Sequence, residues 1–300
     1  MANRGCTYRM AGSCGELLQG KVDEREVLIS YPVNLYNYLT IGRQEGSRLA
    51  ILPRKMQKMA YLLQRRLQFK EELLGELRFI HKKEIPIGVG MASSTVDLTL
   101  MASGLSNYLG YKLTIDQLIK LLVEVEPTDS IIFPRLTLFE QNEGSFYREL
   151  GPYPTMKILM LGTGHLVDTL SFKAGLKDIP RVSQAYQTLK RGLSINDLKL
   201  VGLGAMLSAF QWQKILEKPL LARIQEIVLA MDCYGFNIAH SGGVIGILYS
   251  DEKVRVHELK ERLMTAGAFD YYPYHRELET AAGGVELLVD DGYIGLTEKA

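Results

Sequence analysis

The chain has 300 residues, 47% of them hydrophobic and 23% charged, so it can bury one large core or two smaller ones. Its 35 basic and 34 acidic side chains give a formal net charge of +1, which excludes a nucleic-acid-binding protein that relies on bulk charge. Basic residues cluster at 54–58, 65–66 and 82–83, but each cluster is short and broken by apolar residues, which is typical of a solvated helix face.

The cysteine and histidine patterns predict neither a disulfide framework nor a metal site. The three cysteines have no paired spacing, and the five histidines show no ligand spacing. No stretch approaches the about 18 apolar residues of a membrane span. The N-terminal segment lacks the apolar region of a secretory signal. We therefore expect a soluble protein of the reducing cytoplasm.

Hydrophobic periodicity predicts strands and helices in mixed order along the first half of the chain. Residues 27–41 are rich in β-branched and aromatic side chains, which predicts strands interrupted at Pro32. An apolar stripe at helical spacing predicts a helix over 54–74. Leu77 and Phe79 alternate with polar neighbours and predict a strand that leads into a glycine-rich loop.

Two helices are predicted after that loop. The first carries a continuous apolar face, and Gly110 is placed to end it. Thr114 and Gln117 are spaced as a capping box for the second. Pro127 closes that segment, because proline cannot continue a helix.

Dense turn residues at 151–154 divide the chain into an N-terminal domain over residues 1–152 and a C-terminal domain over residues 153–300. The second half is predicted as a strand, helices, a strand pair, a helix and a last strand over 285–289. Strands and helices that mix without strict alternation favour an α+β fold over a doubly wound parallel sheet.

The segment PIGVGMASST, residues 86–95, lies between a predicted strand and a predicted helix. Glycines allow tight turns, and a helix N-terminus offers free N–H groups and a positive dipole end, so the segment suits phosphates. The candidate phosphate-binding residues are Pro86, Gly88, Val89, Gly90, Met91, Ala92, Ser93, Ser94 and Thr95. A hydroxyl of residues 93–95 can cap the helix, and one can reach a bound Mg²⁺. A plain glycine turn with an ordinary helix cap is the alternative interpretation.

Three segments in order resemble the motifs of the GHMP kinases. Residues 86–95 resemble the family's glycine-rich motif, P-x-x-x-G-L-[GA]-S-S-A. Residues 11–20 with 30–36 resemble its first motif, and residues 239–246 resemble its third. The resemblance implies an ATP-dependent small-molecule kinase that uses Mg²⁺. It also implies a ribosomal-S5-like N-terminal domain and a ferredoxin-like C-terminal domain, with ATP and acceptor in the cleft.

The segment EPTDS, residues 126–130, resembles one in bacterial L-threonine kinases, which make O-phospho-L-threonine for the cobalamin side chain. Residues 13–20 and 167–169 point the same way. A homoserine-kinase-like enzyme and a non-catalytic sensor of the same fold are the alternatives. The expected partners are ATP and an amino-acid alcohol, with no nucleic acid and no membrane, and a homodimer stays open as the assembly.

The resemblance assigns roles to three residues around the transferred phosphoryl group. Asp129 is the candidate catalytic residue that orients or deprotonates the acceptor hydroxyl, with an Asx turn as the alternative. Ser94 and Glu126 are the candidate Mg²⁺ ligands, because Mg²⁺ prefers oxygen ligands. Glu124, two residues earlier at the same helix end, is the rival of Glu126.

A second set of residues is implied to bind the acceptor. Its members are Glu16, His240, Ser241, Gly242 and Gly243. Glu16 would bind the substrate ammonium group, and a surface carboxylate on a strand is the alternative. His240 would shape the acceptor pocket, with a purely structural histidine as the alternative. Asp168 and Thr169 would close the pocket or form a turn at a strand end.

Overall fold

The computed structural model describes residues 5–43, 49–163, 178–213, 215–240 and 242–290. Its strands are β1 Gly5–Val22, β2 Arg25–Arg43, β3 Leu77–Lys83, β4 Leu136–Glu140, β5 Tyr147–Gly151, β6 Lys157–Gly162, β7 Gly235–Ile238, β8 Val244–Tyr249, β9 Tyr274–Glu279 and β10 Val285–Asp290. Its helices are α1 Arg54–Leu67, α2 Glu72–Gly75, α3 Ser93–Tyr108, α4 Ile115–Val125, α5 Ser183–Ser194, α6 Leu198–Gln213, α7 Leu221–Ala230, α8 Val256–Thr265 and α9 Ala268–Tyr271. Within these ranges no helix is both long and apolar enough to cross a bilayer.

The ten described strands form one sheet, in the order β5-β4-β2-β1-β7-β8-β6-β9. In addition β3 pairs with β2 and β10 pairs with β1, and each of these neighbouring pairs runs antiparallel. Glu16 of β1 lies opposite Ile238 of β7, so the sheet continues from the first half of the chain into the second. The expected α+β fold is confirmed, and the domain boundary after residue 152 stays a prediction.

Helix α3 lies inside the larger of two hydrophobic cores. Twelve of its residues are buried, because apolar side chains occupy all sides of the helix rather than one stripe. It packs against α1 and α4 and against β1 and β2. This packing surrounds the helix from Thr95 onward, whereas Ser93 and Ser94 at its N-terminus are half-buried.

Strand β2 runs through Pro32 without a break, so the predicted interruption there is wrong. Pro32 lies opposite Ser13, and the next aligned pair is Ser30 with Glu16, so β1 carries one extra residue at this point. Proline cannot donate a ladder hydrogen bond. Because the neighbouring strand bulges beside it, the missing N–H does not interrupt the pairing.

The predicted helix over 54–74 is too long. Helix α1 ends at Leu67, where Gln68 takes a left-handed conformation with φ 55°, and α2 is a separate short turn. A left-handed residue ends a helix because the next N–H can no longer reach the carbonyl four residues back. The predicted capping box of α4 is confirmed, with the Gln117 N–H donating to Thr114 Oγ1 at 3.3 Å and the reciprocal bond at 2.9 Å.

Gly202 of α6 tests how tightly the helix packs on β7. A Cβ at this position would lie 2.0 Å from the backbone carbonyl oxygen of Tyr234. We expect Gly202→Ala to lower the free energy of unfolding by about 1–3 kcal/mol, despite the better helix propensity of alanine. Gly75→Ala is the control, because a Cβ there meets nothing within 4 Å. Urea denaturation of both variants measures the difference, and equal stabilities would contradict the packing argument.

Candidate active site

The loop between β3 and α3 turns through left-handed conformations at Gly88, Gly90 and Ala92, with φ of 72°, 91° and 56°. Such values favour glycine, because a Cβ strains the backbone there. At Gly90 a Cβ would also lie 2.4 Å from the Cβ of Ala239. Glycine at position 90 is therefore required both by the backbone angle and by the lack of space.

The N-terminus of α3 carries no side-chain cap. Ala92 occupies the N-cap position, so the prediction that a hydroxyl of residues 93–95 caps this helix is wrong. The first intrahelical bond runs from the Val96 N–H to the Ala92 carbonyl at 3.0 Å. Helix geometry leaves the N–H groups of the preceding residues without intrahelical acceptors, and these suit an anion.

The other two glycine-rich segments contact this loop. The Ser13 N–H donates to the Met91 carbonyl at 3.1 Å, and a Cβ at Gly12 would lie 2.9 Å from the same oxygen. A Cβ at Gly242 would lie 2.3 Å from the carbonyl oxygen of Val89. The three motifs that are far apart in the chain therefore meet as backbone against backbone.

The meeting point borders a cavity of about 450 Å³. The loop and the first turn of α3 form one wall, and the start of α1 with the segment after α4 forms another. The predicted site residues that line it are Glu16, Gly88, Gly90, Met91, Ala92, Ser93, Ser94, Thr95, Glu126 and Asp129. Pro86 and Val89 line a second cavity behind the loop, of about 790 Å³. Ser241 and residues 167–169 lie outside the described residues.

Asp129 is held in place at the cavity wall. Its N–H donates to Thr95 Oγ1 at 3.2 Å, its Oδ2 accepts from Ser30 Oγ at 3.1 Å, and its Oδ1 accepts from the Ile131 N–H at 3.1 Å. The last bond caps the short 3₁₀ turn Ser130–Ile132, so the Asx-turn interpretation describes one of its two oxygens. Burial raises the pKa of the nearby Tyr153 phenol, and the negative charge of Asp129 raises it further.

Ser94 and Glu126 face one cationic group. The ammonium of Lys55, in the first turn of α1, donates to Ser94 Oγ at 3.2 Å and also contacts the carboxylate of Glu126. The rival carboxylate, Glu124, is exposed and pairs with Arg66 at 2.7 Å. The basic cluster at 54–58 is thus not wholly a solvated face, because Lys55 reaches into the cavity.

Glu16 and His240 form a buried pair next to β7. Glu16 Oε2 accepts the backbone N–H of His240 at 3.0 Å and lies 2.7 Å from its Nδ1. The His240 ring packs edge-on against Trp212, with 5.0 Å between ring centroids. Glu16 lies on β1 but is buried, so the interpretation as a surface carboxylate is wrong. Its role as an ammonium receptor stays a prediction.

Lys218 lies beside this pair, and no sequence pattern indicated it. Its buried ammonium donates to the carbonyl of Gly242, and Gln213 holds its backbone with two bonds of 2.9 Å. Burial lowers the pKa of Lys218 to about 8, which the negative charge of Glu16 opposes. Since the sequence around it does not differ from that of an exposed lysine, only the fold identifies this residue.

A second group of polar side chains that the sequence analysis missed lies where β3 leads into the glycine-rich loop. Asp97 of α3 accepts from Asn37 Nδ2 at 2.7 Å, lies 2.8 Å from His81 Nε2 and pairs with Lys83 at 3.6 Å. The Asn37 Oδ1 also accepts the N–H of Ile85 at 3.1 Å. Asp97 is the one charged residue of α3, and this was the available signal, because a charged group in a core helix requires partners.

Comparison with known proteins shows the family to which this sequence belongs. The GHMP kinases N terminal domain matches residues 54–133. The L-threonine kinase of Citrobacter freundii is 33% identical over 284 residues, covering 92% of this chain and 97% of that protein. The L-threonine kinase of Salmonella typhimurium is 30% identical over 287 residues, covering 92% and 93%. The chain belongs to the GHMP kinase family.

Solved structures agree with the fold of this GHMP kinase. The homoserine kinase from Cytophaga hutchinsonii superposes with a TM-score of 0.72 at 13% identity, covering 96% of this chain and 98% of that one. The mevalonate kinase of Methanococcus jannaschii gives 0.68 at 14% identity, covering 92% and 98%. The expected GHMP kinase fold is therefore confirmed, and the protein is an ATP-dependent small-molecule kinase.

The contact between Gly90 and Ala239 predicts how the kinase responds to a side chain in its loop. Gly90→Ala adds left-handed strain of about 1–2 kcal/mol and pushes the loop off the third motif. We expect ATP affinity to fall about tenfold or more, because 1.4 kcal/mol corresponds to a factor of ten. Gly151→Ala is the control, since Gly151 also has positive φ but a Cβ there meets nothing within 4 Å. Calorimetric titration measures both, and an unchanged Kd for a folded Gly90→Ala protein would contradict the assignment of the loop.

Proposed function

We propose that this kinase transfers the terminal phosphoryl group of ATP to the side-chain hydroxyl of L-threonine, giving O-phospho-L-threonine for the cobalamin side chain in the cytoplasm. The observation that carries the proposal is the position of the segment after α4, which lines the same cavity as the open end of α3 and contacts that end through the bond from the Asp129 N–H to Thr95 Oγ1. The two L-threonine kinases that match over almost the whole chain support the same acceptor.

The cavity lining offers two kinds of polar group. The open first turn of α3 and the cations Arg54, Lys55 and Lys83 suit the triphosphate. The carboxylates of Glu16 and Asp129 line the same cavity, as does the neutral side chain of Gln19. A carboxylate attracts an ammonium group, so the lining suits an amino-acid alcohol better than an alcohol without an ammonium group.

Ser94 and Glu126 fit the Mg²⁺ that accompanies ATP. Both place an oxygen against one ammonium group, so both can face one cation. Among the described residues no three His, Cys, Asp or Glu side chains converge on one point, which agrees with an ion completed by water and nucleotide oxygens. When bound, Mg²⁺ supplies charge neutralisation on the phosphates.

The bonds to Asp129 support its role in aligning the acceptor hydroxyl. Thr95 anchors its backbone, and Ser30 and Ile131 each hold one carboxylate oxygen. A carboxylate oxygen carries more than one lone pair, so it can accept a further hydrogen bond from an acceptor hydroxyl. These three hydrogen bonds hold the Asp129 carboxylate at one position in the cavity wall.

A screen of acceptors tests the proposed substrate. Release of ADP from Mg²⁺–ATP is measured with L-threonine, L-homoserine, L-serine and mevalonate. We expect the highest kcat/KM with L-threonine, because both relatives that match over almost the whole chain are L-threonine kinases. The carboxylates of the cavity should separate the three amino acids from mevalonate, which has no ammonium group. A higher value with L-homoserine would contradict the threonine assignment. Binding without ADP release for any acceptor would favour the non-catalytic sensor.

Asp129→Asn tests the proposed catalytic residue. Asparagine can still cap the 3₁₀ turn, so the fold should survive. We expect kcat to fall by about 10²–10⁴, the usual contribution of a general base, with little change in the Kd for ATP. Asp116→Asn, an exposed change of the same kind on α4, is the control. An unchanged kcat would remove Asp129 from the mechanism, and rescue by high Mg²⁺ would make it a metal ligand.

A further inference from the structure

Three helix ends meet at the side chain of Lys55. Lys55 lies in the first turn of α1, Ser94 in the first turn of α3, and Glu126 directly follows α4. The Lys55 ammonium contacts an oxygen of each of the other two residues. These are the two oxygens to which the metal of the nucleotide is assigned, so the ammonium stands where a cation is expected.

The burial of the two partners differs. The Glu126 side chain is 8% exposed, whereas the Lys55 side chain is 49% exposed. A carboxylate withdrawn from water is costly unless a cation accompanies it. The lysine side chain borders the open cavity, whereas the carboxylate is almost wholly covered by protein. Displacing the ammonium therefore requires less rearrangement of neighbouring groups than displacing the carboxylate.

We propose that Lys55 is an internal counter-ion that occupies the metal position of the nucleotide-free kinase and moves to the phosphate oxygens when the metal–nucleotide binds. The inference rests on the proposed roles of Ser94 and Glu126. A divalent ion and an ammonium group repel each other at contact distance, so both cannot lie between the same two oxygens. The released ammonium adds positive charge beside the phosphates, where charge must be neutralised during transfer.

Two consequences follow for binding, and neither depends on turnover. First, Lys55 competes with a divalent ion for the oxygens of Ser94 and Glu126, so the nucleotide-free protein should bind that ion weakly. Second, when ATP binds without a metal ion, the Lys55 ammonium is already in the cavity as a cation for its phosphates. Removal of the ammonium should therefore strengthen binding of the ion alone and weaken binding of metal-free ATP.

Lys55→Met tests both consequences, since methionine keeps much of the stem and removes the charge. Binding of Mn²⁺ to the nucleotide-free protein is measured by electron paramagnetic resonance, and binding of ATP in EDTA by calorimetry. We expect Mn²⁺ to bind at least about tenfold more tightly and metal-free ATP about tenfold more weakly, because one hydrogen bond to a charged group has roughly that effect. Lys55→Arg keeps the charge and should retain weak Mn²⁺ binding.

Arg66→Met is the matched control. It removes the other ion pair between α1 and α4, Arg66 with Glu124, which lies on the surface. We expect this variant to change neither Mn²⁺ nor ATP binding. If Lys55→Met lowers only the thermal stability and leaves both affinities unchanged, Lys55 is a structural strut and the proposal is overturned. These measurements use no acceptor, so failure of the threonine assignment would leave their result unaffected.

Discussion

The close approach of three glycine-containing segments is the constraint on which the site depends. Backbone from β1, from the loop before α3 and from the turn before β8 meets at distances that exclude a Cβ. Gly90 and Gly242 lie at the centre of this contact. A Cβ at Gly90 would meet the Cβ of Ala239, and a Cβ at Gly242 would meet the carbonyl oxygen of Val89. The loop follows β3, which pairs with β2, and leads into the buried helix α3, so both of its ends adjoin packed elements.

Charged side chains around the cavity are arranged in groups with partners. Glu16 is paired with His240, and the negative charge of Glu16 reaches the buried Lys218. Glu126 is paired with Lys55. Such pairs add little net stability, because removing charges from water offsets most of their attraction. Their effect is on position: Glu16 is held against the His240 N–H, and the Lys55 ammonium lies between Ser94 and Glu126.

Local signals predicted local structure well and failed where a neighbouring strand intervened. The capping box of α4 needs only residues 114–117, and it is confirmed. Pro32 was expected to break a strand, but the bulge in β1 beside it makes its missing N–H harmless. The missing cap of α3 has a different origin, since the N-cap position falls on Ala92, whose side chain has no acceptor.

The sequence by itself determined the family, the order of the glycine-rich motifs and the candidate residues Ser94, Glu126 and Asp129, because these lie in contiguous segments. Only the tertiary structure decided which other side chains join them. Lys55 contacts Ser94 and Glu126 across 39 and 71 positions, and Lys218 reaches Gly242 across 24. Nothing in a linear pattern distinguishes such a lysine from a solvated one. The difference arises when the fold removes water from one end of the side chain and places an acceptor there.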